Sequence, residues 1–525
     1  MDYVILDDVL PYIRVMTSLQ VLSLTSCDSK HISSIEGLCE LKKLRELDVA
    51  WSSFGGTLPW CLANLTSLRL LDITSNHFTG NIARSPLINL TSLEYLAISN
   101  NDFEVPISFK SFFNHSKLVF IESLNNTLLE DQEDFLATSP SFQLVGLCLS
   151  NFEDGHITRS FPRFLYHQHD LILVELSRTG FTGKFPYWLL DNNTRMETLI
   201  LSYNSFVGPL LLPLRQMRNL FRLDISNNHL EGFLPYKIAG SFPSLEFFNM
   251  STNNFEGNIP SSFGDLTALK VLDLSNNGLS GEIPVHLAKG KIPAGFIGNN
   301  PTLTFLAMAG NHLEGPIPIE LCRLEHLKLL DLSENNITGV VPSCFNSSYI
   351  YVIRLSKNRL DGPFPMAFQY SADLRLRELD LSYNQFNGTI PTWIGNLSYL
   401  EVLLLQHNNF EGNIPNELCN LSSLTLIDLS SNNLFGSIPP CISEIEFNGV
   451  NVGENGYEFS IDSAHTFTLL LHDLGMVLAK SEEDRDRNFD IGTTGQEAKF
   501  TTKGVSFTYR GIVLQLFSGI NLSHN

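Results

Sequence analysis

Residues 269–284 read LKVLDLSNNGLSGEIP, with Leu269, Leu272, Leu274, Asn277, Leu279, Gly281, Ile283 and Pro284 as fixed points. Residues 400–415 repeat the pattern as LEVLLLQHNNFEGNIP, with Leu400, Leu403, Leu405, Asn408, Phe410, Gly412, Ile414 and Pro415. Working outward, the unit returns about every 24 residues. Its first apolar positions are Leu19, Leu44, Leu68, Leu93, Leu118, Leu144, Leu171, Met196, Leu220, Leu245, Leu269, Leu303, Leu327, Ile350, Leu376, Leu400 and Leu424, and one more unit opens at Phe517. Each Leu-x-Leu is a short strand of period 2, with leucines pointing inward and the residues between them outward. One coil cannot bury its leucines alone, whereas a stack of coils makes the core continuous.

A period and signature of this kind define a right-handed leucine-rich-repeat solenoid, an α/β-type repeat fold with a concave parallel sheet. Its asparagines have a bonding reason: a side chain that both donates and accepts can satisfy backbone groups turned into a dry coil. The expected ladder is Asn76, Asn101, Asn126, Asn204, Asn228, Asn253, Asn277, Asn311, Asn335, Asn358, Asn384, Asn408, Asn432 and Asn525, with Cys27, Ser52, Phe152 and Thr179 as substitutes. The Gly-x-apolar-Pro ending recurs from Gly56–Pro59 to Gly436–Pro439. Glycine there permits an unusual turn and proline ends regular pairing. This ending resembles the plant extracellular subtype of the repeat, which implies a short second sheet and a 3-10 convex side. Residues 118–170 lack it and predict an irregular convex side.

The organisation expected is a residual N-terminal segment (1–18) without a full cap, a solenoid (19–441), an insertion (442–516) and the start of a further repeat (517–525). A second irregularity lies at 285–302, where Leu269 to Leu303 spans ten residues too many; an ordinary loop and a junction of two repeats both account for it.

Net charge is −21, which argues against nucleic acid as a partner. Cys39 and Cys61, Cys322 and Cys344, and Cys419 and Cys441 are each 22 residues apart. Because a coil is about 24 residues, that step returns to nearly the same angular position, within disulfide reach. Disulfides in these pairs imply an oxidising compartment; three pairs of buried free thiols are the alternative. Cys27 and Cys148 have no such mate. Asn-x-Ser/Thr sequons at Asn64, Asn89, Asn114, Asn125, Asn192, Asn249, Asn336, Asn346, Asn387, Asn396, Asn420 and Asn521 point the same way, to glycosylation on an extracellular protein. Met1-Asp2-Tyr3 does not open a signal peptide, and no run of 18 or more apolar residues occurs, so the chain reads as part of a longer protein.

The insertion ends in KFTTKGVSFTYRG (499–511), whose alternation predicts strands. Thr501, Thr502, Lys503, Phe507, Tyr509, Gly511, Ser518, Gly519, Ile520, Asn521, Leu522, Ser523 and Asn525 resemble the end of the "island" in plant receptor-like proteins, leucine-rich-repeat receptors without a kinase. Arg510 stands where many members have lysine. The resemblance implies an ectodomain at the plasma membrane that binds a secreted peptide, protein or glycan, in defence or development. It also implies signalling through co-receptor and adapter receptor kinases, with membrane attachment only through a segment outside this chain. It places ligand or partner contacts on the island and the nearby outward strand residues: Arg354, Asp380, Leu404, Gln406, Asp428, Lys503, Tyr509 and Arg510. Leu404 is read as an exposed anchor. The acidic stripe Asp48, Asp72, Asp224, Asp273, Asp331, Asp380 and Asp428 has a simpler reading as an ordinary form of the repeat. Alternatives are a secreted inhibitor of cell-wall-degrading enzymes and a non-functional or decoy receptor fragment. The sequence carries no nucleotide-binding, metalloprotease, serine-hydrolase or kinase motif, so no enzyme, cofactor or metal site is expected.

Overall fold

The computed structural model describes residues 6–27, 34–130, 139–151, 158–288, 302–343, 349–369, 375–440, 497–502, 505–510 and 519–523. The repeats fall into two compact units that divide between His229 and Leu230. In both, every coil contributes one short strand to a parallel sheet, and the inward residue of each strand sits beside its equivalent in the next coil. In the first unit that line is Leu22, Leu47, Leu71, Leu96, Ile121, Leu147, Val174, Leu199 and Leu223. In the second it is Phe248, Leu272, Leu306, Leu330, Ile353, Leu379, Leu403, Ile427 and Ile520. All of these residues up to Ile427 are buried. Apolar burial of this kind contributes roughly 1.5–3 kcal/mol per large side chain.

The Gly-x-apolar-Pro endings build a second parallel sheet in each unit. In the second unit, strands such as Gly278–Glu282, Asn409–Asn413 and Asn433–Phe435 pair coil to coil. Gly281 and Gly412 take φ of +73° and +85°, where a side chain would be strained. Short 3-10 turns, for example Thr392–Asn396 and Asn416–Asn420, then close the coil. Although Leu269 and Leu303 are ten residues too far apart, Val271 still pairs with Phe305, so the longer spacing leaves the register intact.

The asparagine ladder bonds backward by one coil. Asn384 Oδ1 accepts the Leu360 N–H at 3.0 Å, and its Nδ2 donates to the carbonyls of Leu355, Leu381 and Ser382 at 2.9, 3.2 and 3.1 Å. Asn408 does the same with Phe386 and Leu381. Ser52 substitutes in reduced form, accepting from the Cys27 N–H and donating to the Leu24 carbonyl. Thr179 donates instead to Asn204 Oδ1.

One ladder assignment is corrected. Asn151, rather than Phe152, holds the rung, its Oδ1 accepting the Leu128 N–H at 3.1 Å. The cause is a β-irregularity between Ser123 and Asn126, which shifts the partner strand by one residue. Phe152 itself lies outside the described residues.

That irregular stretch is built differently. Phe120–Leu129 is one ten-residue strand that enters both sheets, pairing Phe120 with Tyr95 and Thr127 with Glu104. Arg159, 3 % exposed, donates from Nη1 to the Thr179 carbonyl and from Nη2 to the Leu128 carbonyl, both at 2.8 Å. On the opposite wall three polar residues replace the leucines seen at Leu65 and Leu90. They are His115, Gln168 and Asn193, all fully buried. Gln168 Oε1 accepts the Leu144 N–H and Asn193 Oδ1 accepts the Leu171 N–H, a second and shorter polar ladder.

Cys39 and Cys61 form a disulfide with Cα atoms 5.6 Å apart. Cys322 and Cys419 are also disulfide-bonded; Cys344 and Cys441 lie outside the described residues. Cys27 and Cys148 are buried and not in a disulfide. Within the insertion, Glu497–Thr502 and Val505–Arg510 form an antiparallel hairpin in the segment whose alternation predicts strands. The repeat then resumes, with Gly519–Asn521 pairing in parallel on Leu426–Asp428. Among the described residues no helix is long and apolar enough to cross a membrane.

Candidate ligand-recognition face

The face is made by the residues on either side of each inward leucine. In the second unit, register sets Asp331, Arg354, Asp380, Leu404, Asp428 and Asn521 in one line. Leu329, Val352, Glu378, Val402, Leu426 and Gly519 form the line beside it. Strands stand about 4.8 Å apart, so neighbouring side chains in a line touch.

Arg354 is held within the face rather than offered from it. Its Nε lies 2.6 Å from Glu378 Oε1 and its Nη2 3.0 Å from Oε2, a two-pronged pair, while Nη1 is 3.5 Å from Asp331. Burial works against its charge, but Glu378, with Asp331 and Asp380 behind it, outweighs that and keeps the guanidinium protonated. The acidic stripe is likewise committed to the fold. Asp380 Oδ1 accepts both the N–H and the hydroxyl of Ser382, at 3.0 and 2.6 Å, and Asp428 treats Ser430 the same way. Asp48, Asp72, Asp224, Asp273 and Asp331 each accept the N–H two residues on. The aspartate of Leu-Asp-Leu-Ser therefore ends the strand with a local side-chain bond, which is why the repeat favours it. Burial raises the pKa of Asp380, and Ser382 and Ser356 oppose that shift.

Leu404 corrects the expectation of an exposed anchor. It is 6 % exposed and packs with the partly buried Val402 of its own strand and with Leu426, the register partner of Val402 in the next coil. Gln406 is 4 % exposed, and its Oε1 has no hydrogen-bond partner among the described residues. Tyr509 and Arg510 are placed by backbone only, opposite Ala498 and Glu497 in the hairpin. Lys503 lies outside the described residues.

In the first unit the equivalent face is apolar at its centre, where Leu70, Tyr95, Ala97, Phe120 and Cys148 pack together and Tyr95 stacks on Phe120 at 4.9 Å. Burial pushes Asp72 up to about 7, with Asp48 and Glu122 adding to the shift.

Sequence reading missed a further line of residues. The position before most ladder residues is left-handed, with φ of 53–56° at Tyr203, Thr252, Asn276, Glu334, Lys357, Tyr383, His407 and Ser431. In the second unit these positions carry the Glu334–Lys357 ion pair and a Tyr383–His407 stack at 4.3 Å. Among the described residues no group of His, Cys, Asp and Glu could hold a metal ion.

With this geometry in place, comparison with known proteins gives the class. Leucine-rich-repeat family models match residues 374–434, and residues 219–240, 244–266, 268–289 and 326–348. The chain is similar to plant leucine-rich-repeat receptor-like proteins. It is 36 % identical over 365 residues to Cuscuta receptor 1 of Solanum lycopersicum, covering 68 % of this chain and 31 % of that one. Receptor-like protein 13 of Arabidopsis thaliana is 32 % identical over 348 residues, covering 64 % and 26 %. The chain thus spans about a third or less of the length of these relatives. Among solved structures, the Arabidopsis receptor kinase HAESA with the peptide hormone IDA and the co-receptor SERK1 matches at 26 % identity and a TM-score of 0.56, covering 83 % of this chain and 82 % of that one.

Proposed function

We propose that this chain is ligand-recognition surface from the extracellular region of a plant cell-surface receptor-like protein, binding a secreted peptide, protein or glycan without chemistry. Signalling through a partner receptor kinase, in defence or development, belongs to the same proposal. The observation that carries it is the second-unit face. Arg354 is neutralised by Glu378 and Asp331, so the face carries little net charge there, and Val402, Leu404 and Leu426 pack together on it beside Gln406, whose Oε1 has no hydrogen-bond partner among the described residues. A buried acceptor without a donor costs about 1–3 kcal/mol, which a ligand N–H would recover once the Gln406 side chain turns outward. The similarity to a receptor solved with a peptide hormone and a co-receptor supports the reading. Island contacts through Lys503, Tyr509 and Arg510 extend the proposed surface.

The test is a binding screen of synthetic secreted peptides and cell-wall oligosaccharides against the chain carried in its longer receptor. A binder is expected whose affinity falls at least tenfold with Gln406→Ala and Leu404→Ala and holds with Glu411→Ala, on the exposed second sheet. A binder lost with Glu411→Ala and untouched by Gln406→Ala would overturn the assignment of the face. Inhibition of a secreted cell-wall hydrolase on mixing would replace the receptor reading with that of an inhibitor.

A further inference from the structure

Seven of the twelve sequons fall into two geometrical kinds. In the first unit Asn64, Asn89 and Asn114 hold the same place in successive coils. Asn64 ends the 3-10 turn Trp60–Asn64, Asn89 ends Pro86–Asn89, and Asn114 follows Lys110–Phe112. Each is exposed, the next residue (Leu65, Leu90, His115) is buried, and the hydroxyl residue after it (Thr66, Thr91, Ser116) is exposed. In the second unit Asn396 and Asn420 end Thr392–Asn396 and Asn416–Asn420, with Leu397 and Leu421 buried and Ser398 and Ser422 exposed. None of these five carboxamides makes a hydrogen bond among the described residues.

Asn125 and Asn249 are of the other kind. Asn125 Nδ2, the atom that would carry a sugar, donates to Asn100 Oδ1 at 2.7 Å. Asn249 Oδ1 accepts the N–H and the hydroxyl of Ser251 at 3.0 and 2.8 Å, and Ser251 is buried, so that sequon is closed on itself.

We infer that Asn64, Asn89, Asn114, Asn396 and Asn420 carry N-linked glycans, and that in each unit these line the edge from which the face strands begin, while Asn125 and Asn249 stay largely bare. The step is a group transfer from a lipid-linked oligosaccharide diphosphate. Asn Nδ2 forms a bond to the anomeric carbon, the bond from that carbon to the diphosphate oxygen breaks, one amide proton is lost and the lipid diphosphate leaves. The donor is available on the secretory route, so the inference rests on the extracellular reading above. Branched sugars rooted on consecutive coils, about 5 Å apart, leave no flat protein surface along that edge. A protein partner then cannot lie flat along that edge; on the opposite one stand Lys357, Tyr383 and His407, next to the second-sheet sequons Asn336 and Asn387.

The experiment is glycopeptide mass mapping of the full chain, produced in plant cells behind a secretion leader, with the Cys39–Cys61 bond mapped on the same sample. Glycan is expected on all five edge asparagines, at occupancies several-fold above those of Asn125 and Asn249. Bare edge asparagines in protein whose Cys39–Cys61 bond has formed would overturn the inference while leaving the compartment standing. Equal occupancy of edge and closed sequons would also overturn it. Bare asparagines together with reduced cysteines, in protein taken from its own tissue, would overturn the extracellular reading and the inference with it.

Discussion

The coils around Asn358, Asn384, Asn408 and Asn432 and the stretch from Phe120 to Asp170 face the same physical problem and solve it in different ways. In the regular coils one residue type repeats one set of bonds, an oxygen on the previous coil's N–H and a nitrogen on its carbonyls. In the irregular stretch, Asn151, Arg159 and Gln168 each satisfy a different buried group, and His115 stands just before it with both ring nitrogens against carbonyls. The fold requires satisfied backbone groups, not asparagine. The substitutes differ from asparagine in what they carry into the core: a charge in one case and a titrating ring in another.

The largest effect is expected from Asn384→Ala, which strands the Leu360 N–H and the Leu355 carbonyl in a dry coil at a cost of about 3 kcal/mol. Faster hydrogen exchange at the Leu360 amide and a lower unfolding midpoint would register it. Arg159→Met should cost about half as much. Two carbonyls lose their donors, but a buried cation whose Nε has no partner among the described residues is removed as well. Equal losses for the two variants would erase the distinction between the regions.

His115 sharpens the comparison through pH. Burial holds its pKa below the ordinary 6.5, against the pull of the Leu87 and Phe112 carbonyls, each 3.1 Å from a ring nitrogen. The unfolded chain therefore takes up the proton first, and stability falls as pH drops below about 6.5. His115→Leu, which copies Leu65 and Leu90, should flatten the slope contributed by this site in pH-dependent thermal unfolding. An unchanged slope would mean that the ring titrates as it does in water.

The smallest effect lies at Thr252, whose φ of 54° is unfavourable for a β-branched residue. Thr252→Gly relieves about 1 kcal/mol of strain and loses most of that to the greater freedom of the unfolded chain. A net gain of a few tenths of a kcal/mol is expected in denaturant titration, whereas a loss above 1 kcal/mol would show that the side chain supports its coil.

The fold was readable because a repeat states its rule many times over; the strand line, the second sheet and most ladder rungs follow from the period alone. Asn151 escaped because the irregularity after Ser123 moves the rung by one residue, which no local pattern marks. The left-handed positions escaped for another reason. Trp51, Arg178, Thr252 and Lys357 share no side-chain property, since their φ is imposed by the rung that follows rather than by the residue itself. Arg354 and Leu404 stand out as irregularities along the sequence, yet their partners Glu378, Asp331 and Leu426 sit one coil away, and only the register shows each as half of a matched set.

The return of Gly519–Asn521 onto Leu426–Asp428 has a further consequence. These two strands are consecutive steps of the stack, so the stack does not measure the length of chain that joins them. Doubling the length of a connection closed by such a joint costs only about 0.6 kcal/mol in closure entropy. That joint can accept an exchanged or lengthened cassette without disturbing a single rung, which makes it the place where this architecture can acquire a new specificity most cheaply.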